Sequence, residues 1–452
     1  MSRLYGKSYY RWVVLLACTL VYCTSQLVRW NYASITKYLT TDLGFGKPEL
    51  GLMGSAFFYA YAASQIPWGL STDRWGGRKV IPAGVVVMAL FLAGFAFTAS
   101  FTQAIVWRTL MGAMAGAGYV PIASVLAKWF PIKERGFAME FYSGPGGGLG
   151  EGLSFLLIPV MALVMTGGGL FGLTGWRGST VVMALVVLVI GIASAVMLRS
   201  DPTVIGLPSV QAAEDKKDDA QYKQVAAKIT KDPALWILSL AWSGYMIGAR
   251  LVPGWLPLYA TEFYIQKQGM AKGPAIVAGG AMATAYVMGR CFGTPVVGKL
   301  SDFLLKKFAI PRAVIIFIGL LGVAACFYAF TTPIPNVLLL ALLSFASGVL
   351  INIFPLVNAQ AAEIWSIRTA GFAMGIINMV GQFAGAVALS LSGFMAVKYS
   401  IKGGAFYTQF LGIWYLGVLT SLLAAAAALV VIYREKNAVA KQFAVGKASG
   451  QE

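Results

Sequence analysis

Histidine is absent from all 452 residues. Its absence removes a histidine proton relay and most transition-metal sites, for which imidazole is the commonest ligand. The four cysteines (Cys18, Cys23, Cys291 and Cys326) stand inside apolar stretches, with neither a disulfide framework nor metal-ligand spacing, and read as small packing residues. Charge is scarce: Asp, Glu, Lys and Arg together make up 12% of the chain, about half the roughly 25% of a soluble protein. No nucleophile beside a base, metal cluster or nucleotide loop stands out, so neither an enzyme, nor a metal, nor a cofactor is expected.

What fills the chain instead is apolar sequence. Hydrophobic residues account for 58% and mean hydropathy is +0.73. Stretches of about 20 residues, each long enough to cross the hydrocarbon core, recur near 12–38, 50–70, 80–100, 103–127, 136–165, 178–198, 234–261, 274–297, 313–331, 336–358, 371–397 and 406–432. They are too long and uniform for barrel strands, and lipid cannot satisfy an open backbone, so they must be helices. The expected class is an all-α membrane protein of about twelve transmembrane helices.

Basic residues cluster between alternate stretches: Arg3, Lys7 and Arg11; Arg74 to Lys79; Lys128 to Arg135; the central linker; Lys306, Lys307 and Arg312; Arg368; and Arg434, Lys436 and Lys441. Twelve crossings put all of these on one side, and the positive-inside rule makes that side, with both termini, cytoplasmic. The net charge of +18 is then mostly a topology signal, aided by anionic headgroups of the bilayer. Scattered over loops as it is, it does not describe a nucleic-acid surface. The first stretch is too long, and lacks the small-residue cleavage site, to be a removed signal peptide.

The longest polar interruption, 200–232, has mixed charge, Pro202 and Pro208. It divides the chain into an N-terminal six-helix half (1–199), a cytoplasmic linker (200–232, with a short surface helix expected through 221–229), a C-terminal six-helix half (233–433) and a tail (434–452). The halves repeat: Gly69-Leu-Ser-Thr-Asp73 follows the second stretch and Gly298-Lys-Leu-Ser-Asp302 the eighth. Such repeats build secondary transporters, with the substrate site at their interface near the midplane.

Arginines lie inside the first stretch of each half: Arg29 in WVVLLACTLVYCTSQLVRWNYASI and Arg250 in ALWILSLAWSGYMIGARLVPGWLPLY. A cation at bilayer depth costs roughly 2.5–3.5 kcal/mol or more, and normally faces protein or a watery cavity with a partner. A guanidinium is a planar fork matched to carboxylate or phosphate. Two of them at matching depths point to a transported anion, against the blander possibility of helix pairing or snorkelling. Arg290, in the eighth stretch, aligns with Tyr61 of the other half and so stands outside the repeated frame. Glu151, in FYSGPGGGLGEGLSF, is open to two readings, a proton carrier or a lasting salt bridge to an arginine such as Arg29 or Arg290. Tyr61, Tyr119, Asn352, Asn358, Asn378 and Gln382 are further polar candidates for the wall of a binding site.

The segment Gly69 to Lys79 resembles, nearly residue for residue, the loop 2–3 signature of the major facilitator superfamily. Arg108-Thr-Leu-Met-Gly112-Ala-Met-Ala-Gly116-Ala-Gly118 resembles that superfamily's fourth-helix motif. Within it, LVRWNY at 27–32 is similar to the first helix of the organophosphate:phosphate antiporters, whose arginines on helices 1 and 7 grip phosphate. QIPWGLSTDRWGGRK and WFPIKERGFAMEFYS are similar to the anion:cation symporters, carriers of organic acids. The antiporters often carry a helix-2 lysine near Gln65 and a helix-5 histidine, both missing here, and Arg250 stands one residue nearer Trp255-Leu-Pro257 than their helix-7 arginine does.

The resemblance implies a secondary active transporter of a small organic anion working by alternating access, as a monomer in a bacterial inner membrane. The leading expectation is proton-coupled carboxylate symport, with Arg29, Arg250 and Arg290 clamping the anion and Glu151 carrying the proton. The alternatives are an organophosphate or sugar-phosphate:phosphate antiporter and a transporter-like anion sensor. It further implies that Asp73, Arg74, Arg78, Lys79, Arg135 and Asp302 form a cytoplasmic gate, and that Arg108 serves helix packing.

Overall fold

The computed structural model describes residues 9–169, 172–208, 228–308, 310–352, 354–401 and 403–448. Among them the chain is nearly all helix, as an apolar backbone in lipid requires. The helices are α1 (Tyr10–Ser34), α2 (Thr36–Leu43), α3 (Lys47–Trp75), α4 (Gly77–Phe95), α5 (Phe101–Ala115), α6 (Val120–Trp129), α7 (Ile132–Ser143), α8 (Pro145–Val164), α9 (Gly175–Met197), α10 (Pro233–Gln268), α11 (Lys272–Phe308), α12 (Arg312–Phe330), α13 (Val337–Leu350), α14 (Phe354–Lys398) and α15 (Leu411–Ala448). Ten helical stretches are long and apolar enough to cross a membrane, with α5–α6 and α7–α8 each counting as one. The 29-residue α3 and the shorter apolar α13 supply the two remaining passes. This is a multi-pass integral membrane protein of the twelve-pass kind the sequence predicts. Residues 221–227 of the expected linker helix lie outside the described residues, and 228–229 are helical.

Several expected spans are interrupted. The first breaks at Ile35, the fourth passes through a 3₁₀ turn at Gly116–Gly118, the fifth is cut at Gly144 before Pro145, and the tenth is divided between α13, ending at Leu350, and α14, starting at Phe354. Loop chemistry sets the ends. Ser100, Asp232 and Asn336 accept hydrogen bonds from the first turns of α5, α10 and α13, the usual role of such side chains at an N-cap. Gly44 and Gly269 close α2 and α10 in left-handed conformations, with φ of 71° and 66°.

Large apolar side chains including Leu16, Ile66, Leu90, Val189, Ile318, Leu338, Phe383 and Leu423 are exposed on the outside of the bundle. A belt of this kind faces lipid. Inside, α10 is the most enclosed helix: 83% of its most apolar window is buried, against 39% for α9. The corresponding figure for α1 is 67%. The two helices bearing the paired arginines are therefore central ones, where a buried guanidinium can meet protein or ligand rather than lipid.

The first six passes and the last six meet along α3 with α14, α8 with α11 and α1 with α10. These contacts concentrate at the end of the bundle opposite the basic loops. The Ser55 hydroxyl of α3 donates to the Ala386 carbonyl of α14 at 2.7 Å, and Gly280 of α11 lies against the Phe155 carbonyl of α8. Beyond them Lys37 pairs with Glu262 at 2.5 Å and Lys272 with Asp42 at 3.1 Å. At the basic end Asp73, Arg74, Arg78 and Lys79 are exposed, and none makes an ion pair among the described residues.

Candidate anion-binding site

Tyr22, Gln26 and Arg29 are spaced i, i+4 and i+7 along α1, so they share one face of the helix. Arg29 is only 5% exposed. Its guanidinium lies 4.7 Å from the ring centre of Tyr61 and 5.6 Å from that of Phe58, both on α3. Its Nε and one terminal nitrogen find no hydrogen-bond partner. Arg250, on α10, is 6% exposed and packs at 4.0 Å against the same Phe58 ring. One of its terminal nitrogens donates to the Gln382 side chain of α14 at 2.7 Å. The one-residue displacement of Arg250 in sequence therefore does not turn it away: both guanidiniums flank one ring. Gly385, one turn beyond Gln382, leaves room for the Arg250 stem, and a Cβ there would stand 3.0 Å from its Cγ.

Guanidinium groups left with unpaired donors inside protein are costly, because each lost bond to water must be replaced. Neither Arg29 nor Arg250 forms an ion pair with a carboxylate among the described residues, whereas aromatic faces touch both. Such an arrangement is chemically suited to receive an anion from outside the chain.

Arg290 behaves differently. It donates to Glu151 at 2.8 Å across α11 and α8. Glu151 is 3% exposed, and its other oxygen has no partner. Of the open alternatives for Glu151 as a salt-bridge partner, Arg290 is the one it meets. Asn352 donates to the Arg290 carbonyl at 2.5 Å and to that of Gly348, tying α13 to α11.

Arg108 is fully buried, and each of its three guanidinium nitrogens donates to a carbonyl, of Met53, Val28 and Arg29. It stitches α5 to α3 and α1, immediately behind Arg29. Tyr119 joins Tyr22 and Tyr142 in an aromatic cluster. Asn378 stands half-buried one turn before Gln382, while the side chain of Asn358 is outside the described ones. At the basic end Asp302 pairs with Arg312 at 2.8 Å, and Arg135 donates to the Ala127 carbonyl at 3.0 Å.

Several residues of this neighbourhood escaped the sequence reading. Phe58 is the chief one, since an aromatic in an apolar helix carries no mark of being shared by two cations. Tyr286, whose buried hydroxyl has no partner, is another. The period of α1 could have revealed Tyr22 and Gln26.

The family model described as Major Facilitator Superfamily matches residues 18–302 and 273–449. The chain belongs to that superfamily. It is 24% identical over 403 residues to a probable hexose phosphate transport protein of Chlamydia trachomatis, covering 84% of both chains. It is 26% identical over 410 residues to the glycerol-3-phosphate transporter of Bacillus subtilis, covering 86% of this chain and 87% of that one. A probable sulfoacetate transporter of Cupriavidus necator is 25% identical over 410 residues, covering 85% of this chain and 87% of that one. Among solved structures, a bacterial homologue of the human lysosomal transporter Spinster superposes with a TM-score of 0.75 at 17% identity, covering 93% of this chain and 96% of that one. Superfamily membership makes the protein a secondary transporter, and its fold is that of transporters rather than enzymes.

Proposed function

We propose that this protein exchanges a phosphate monoester for inorganic phosphate by alternating access. The observation that carries the reading is the pair of guanidiniums, Arg29 and Arg250, on central helices of the two six-helix halves. They flank Phe58 without a carboxylate partner among the described residues. A phosphate monoester carries about −1.5 to −2 charge near neutral pH and accepts forked hydrogen bonds from arginine. Relatives named for glycerol-3-phosphate and hexose phosphate support the same substrate class. In this reading the membrane is a bacterial inner one and the end with the basic loops is cytoplasmic, an orientation that the positive-inside rule supports. Asp73, Arg74, Arg78, Lys79 and Arg135 then guard that end as a gate, with Asp302 opposite them, while Arg108 fixes the α1 backbone behind Arg29.

A second reading, carboxylate uptake coupled to protons, is favoured by one observation, the buried Glu151–Arg290 pair between the halves. Purified protein in liposomes separates the two. Labelled phosphate entering only when phosphate or glycerol-3-phosphate is loaded inside, and unaffected by a protonophore, supports exchange. Carboxylate uptake that collapses with a protonophore supports symport, and specific binding without turnover would leave only a sensor.

A further inference from the structure

Among the described residues, the ion pair between Glu151 and Arg290 differs in position from the other inter-half pairs. Lys37–Glu262 and Lys272–Asp42 sit at the end away from the basic loops, whereas Glu151 follows by one helical turn Gly147, which packs against Tyr22 and Gln26 on the Arg29 face of α1. The side chain of Glu151 is 4% exposed and that of Arg290 28%, so Arg290 retains access to the space around the site while its charge is cancelled. Arg290 Nε remains unpartnered, and so does the neighbouring Tyr286 hydroxyl, whose ring lies 5.9 Å from the guanidinium. Unused donors therefore surround a cation that its own chain has neutralised.

We infer that Glu151 is a specificity residue: by neutralising Arg290 it limits the site to phosphate esters whose only anionic group is the phosphate. This rests on the phosphate-exchange reading above. With Arg290 cancelled, Arg29 and Arg250 present two positive charges, which match a phosphate dianion. Arg108, with its donors committed to backbone carbonyls, is not available to a ligand. An ester that also carries a carboxylate brings a third negative charge, and that charge meets Glu151 instead of a free arginine. Discrimination by a like charge placed in a site of low dielectric is a repulsive device, effective because water is not there to screen it.

The test is equilibrium binding to the purified full chain by titration calorimetry, using inorganic phosphate, glycerol-3-phosphate and 3-phosphoglycerate. Wild-type protein is expected to bind the first two and to disfavour 3-phosphoglycerate. Glu151→Gln keeps the shape but frees the Arg290 charge, and should shift the affinity ratio toward 3-phosphoglycerate by roughly tenfold or more. The double variant Glu151→Gln/Arg290→Gln restores the charge balance and should return the ratio to near the wild-type value. An unchanged ratio in the single variant overturns the inference, as does an equal shift in both variants. Should Glu151→Gln fail to fold, the reciprocal Arg290→Gln decides. It leaves Glu151 unpaired and should penalise 3-phosphoglycerate further, while an unchanged ratio overturns the inference. Wild-type protein that binds neither phosphate nor either ester would instead refute the phosphate-exchange reading.

Discussion

The two ends of the bundle carry similar charged residues in opposite situations. Away from the basic loops, α2 reaches across to α10 and α11 through Lys37–Glu262 and Asp42–Lys272, over a layer of glycines packed against the opposite half. At the basic end, Asp73, Arg74, Arg78 and Lys79 stand exposed, and Asp302 turns to Arg312 within its own half. Among the described residues one end is closed between halves and the other is not. For a transporter that must visit the reverse arrangement, the closed end shows which contacts have to break. Their combined strength must stay near a few kcal/mol for both states to be populated.

The glycines separate two kinds of contact. A Cβ on Gly393 would collide with the Lys47 carbonyl of the opposite half, whereas one on Gly289 would collide with the Phe345 carbonyl of its own half. Overpacking of this kind costs on the order of 1–3 kcal/mol. Gly393→Ala is expected to have the largest conformational effect, opening the closed end in most molecules with little loss of thermal stability. Spin labels at Gly168→Cys and Gln268→Cys, on opposite halves, would report this as a longer distance. Gly289→Ala should do the reverse, lowering the melting temperature by several degrees while leaving that distance distribution alone. Equal effects from the two would dissolve the distinction between hinged and permanent contacts.

The ion pairs should follow in order of burial. Lys37 and Glu262 are 18% and 14% exposed, so Lys37→Gln should shift the same distance distribution measurably, by about 1 kcal/mol or less. Lys272 and Asp42 are 40% and 41% exposed, and Lys272→Gln should change it little, an effect that 0.5 M salt should reproduce in wild-type protein. Asp73→Asn, at the open end, should leave the present arrangement as populated as before or more so. A shift toward the closed basic end would contradict its role as a gate.

Much of this was legible in the sequence, because the bilayer makes apolar length and loop charge nearly sufficient for topology. Arg29, Arg250, Arg290 and Glu151 stood out for the same reason: a charge in an apolar helix has few structural excuses. What could not be read was their pairing. Which arginine meets Glu151 depends on α8 lying against α11, a contact made by glycines with no side chain to signal it. Phe58 is invisible for a similar reason, since its role comes only from the crossing of α1, α3 and α10. Nor could the sequence choose the substrate. The missing lysine and histidine tilted the reading to a carboxylate, whereas relatives named for phosphate esters favour the alternative. The absences concern a lysine and a histidine that the antiporters often carry, and they leave the arginine pair itself in place.

The account stands on Arg29 and Arg250 being one anion site, and Arg→Lys tests it most directly, because lysine keeps the charge but loses the planar fork. Phosphate binding by titration calorimetry, with melting temperature measured alongside, is the measurement. The account predicts that Arg29→Lys and Arg250→Lys each weaken phosphate binding by roughly a hundredfold while melting close to the wild type. Phosphate affinity retained in both variants would contradict it and return the two arginines to helix packing.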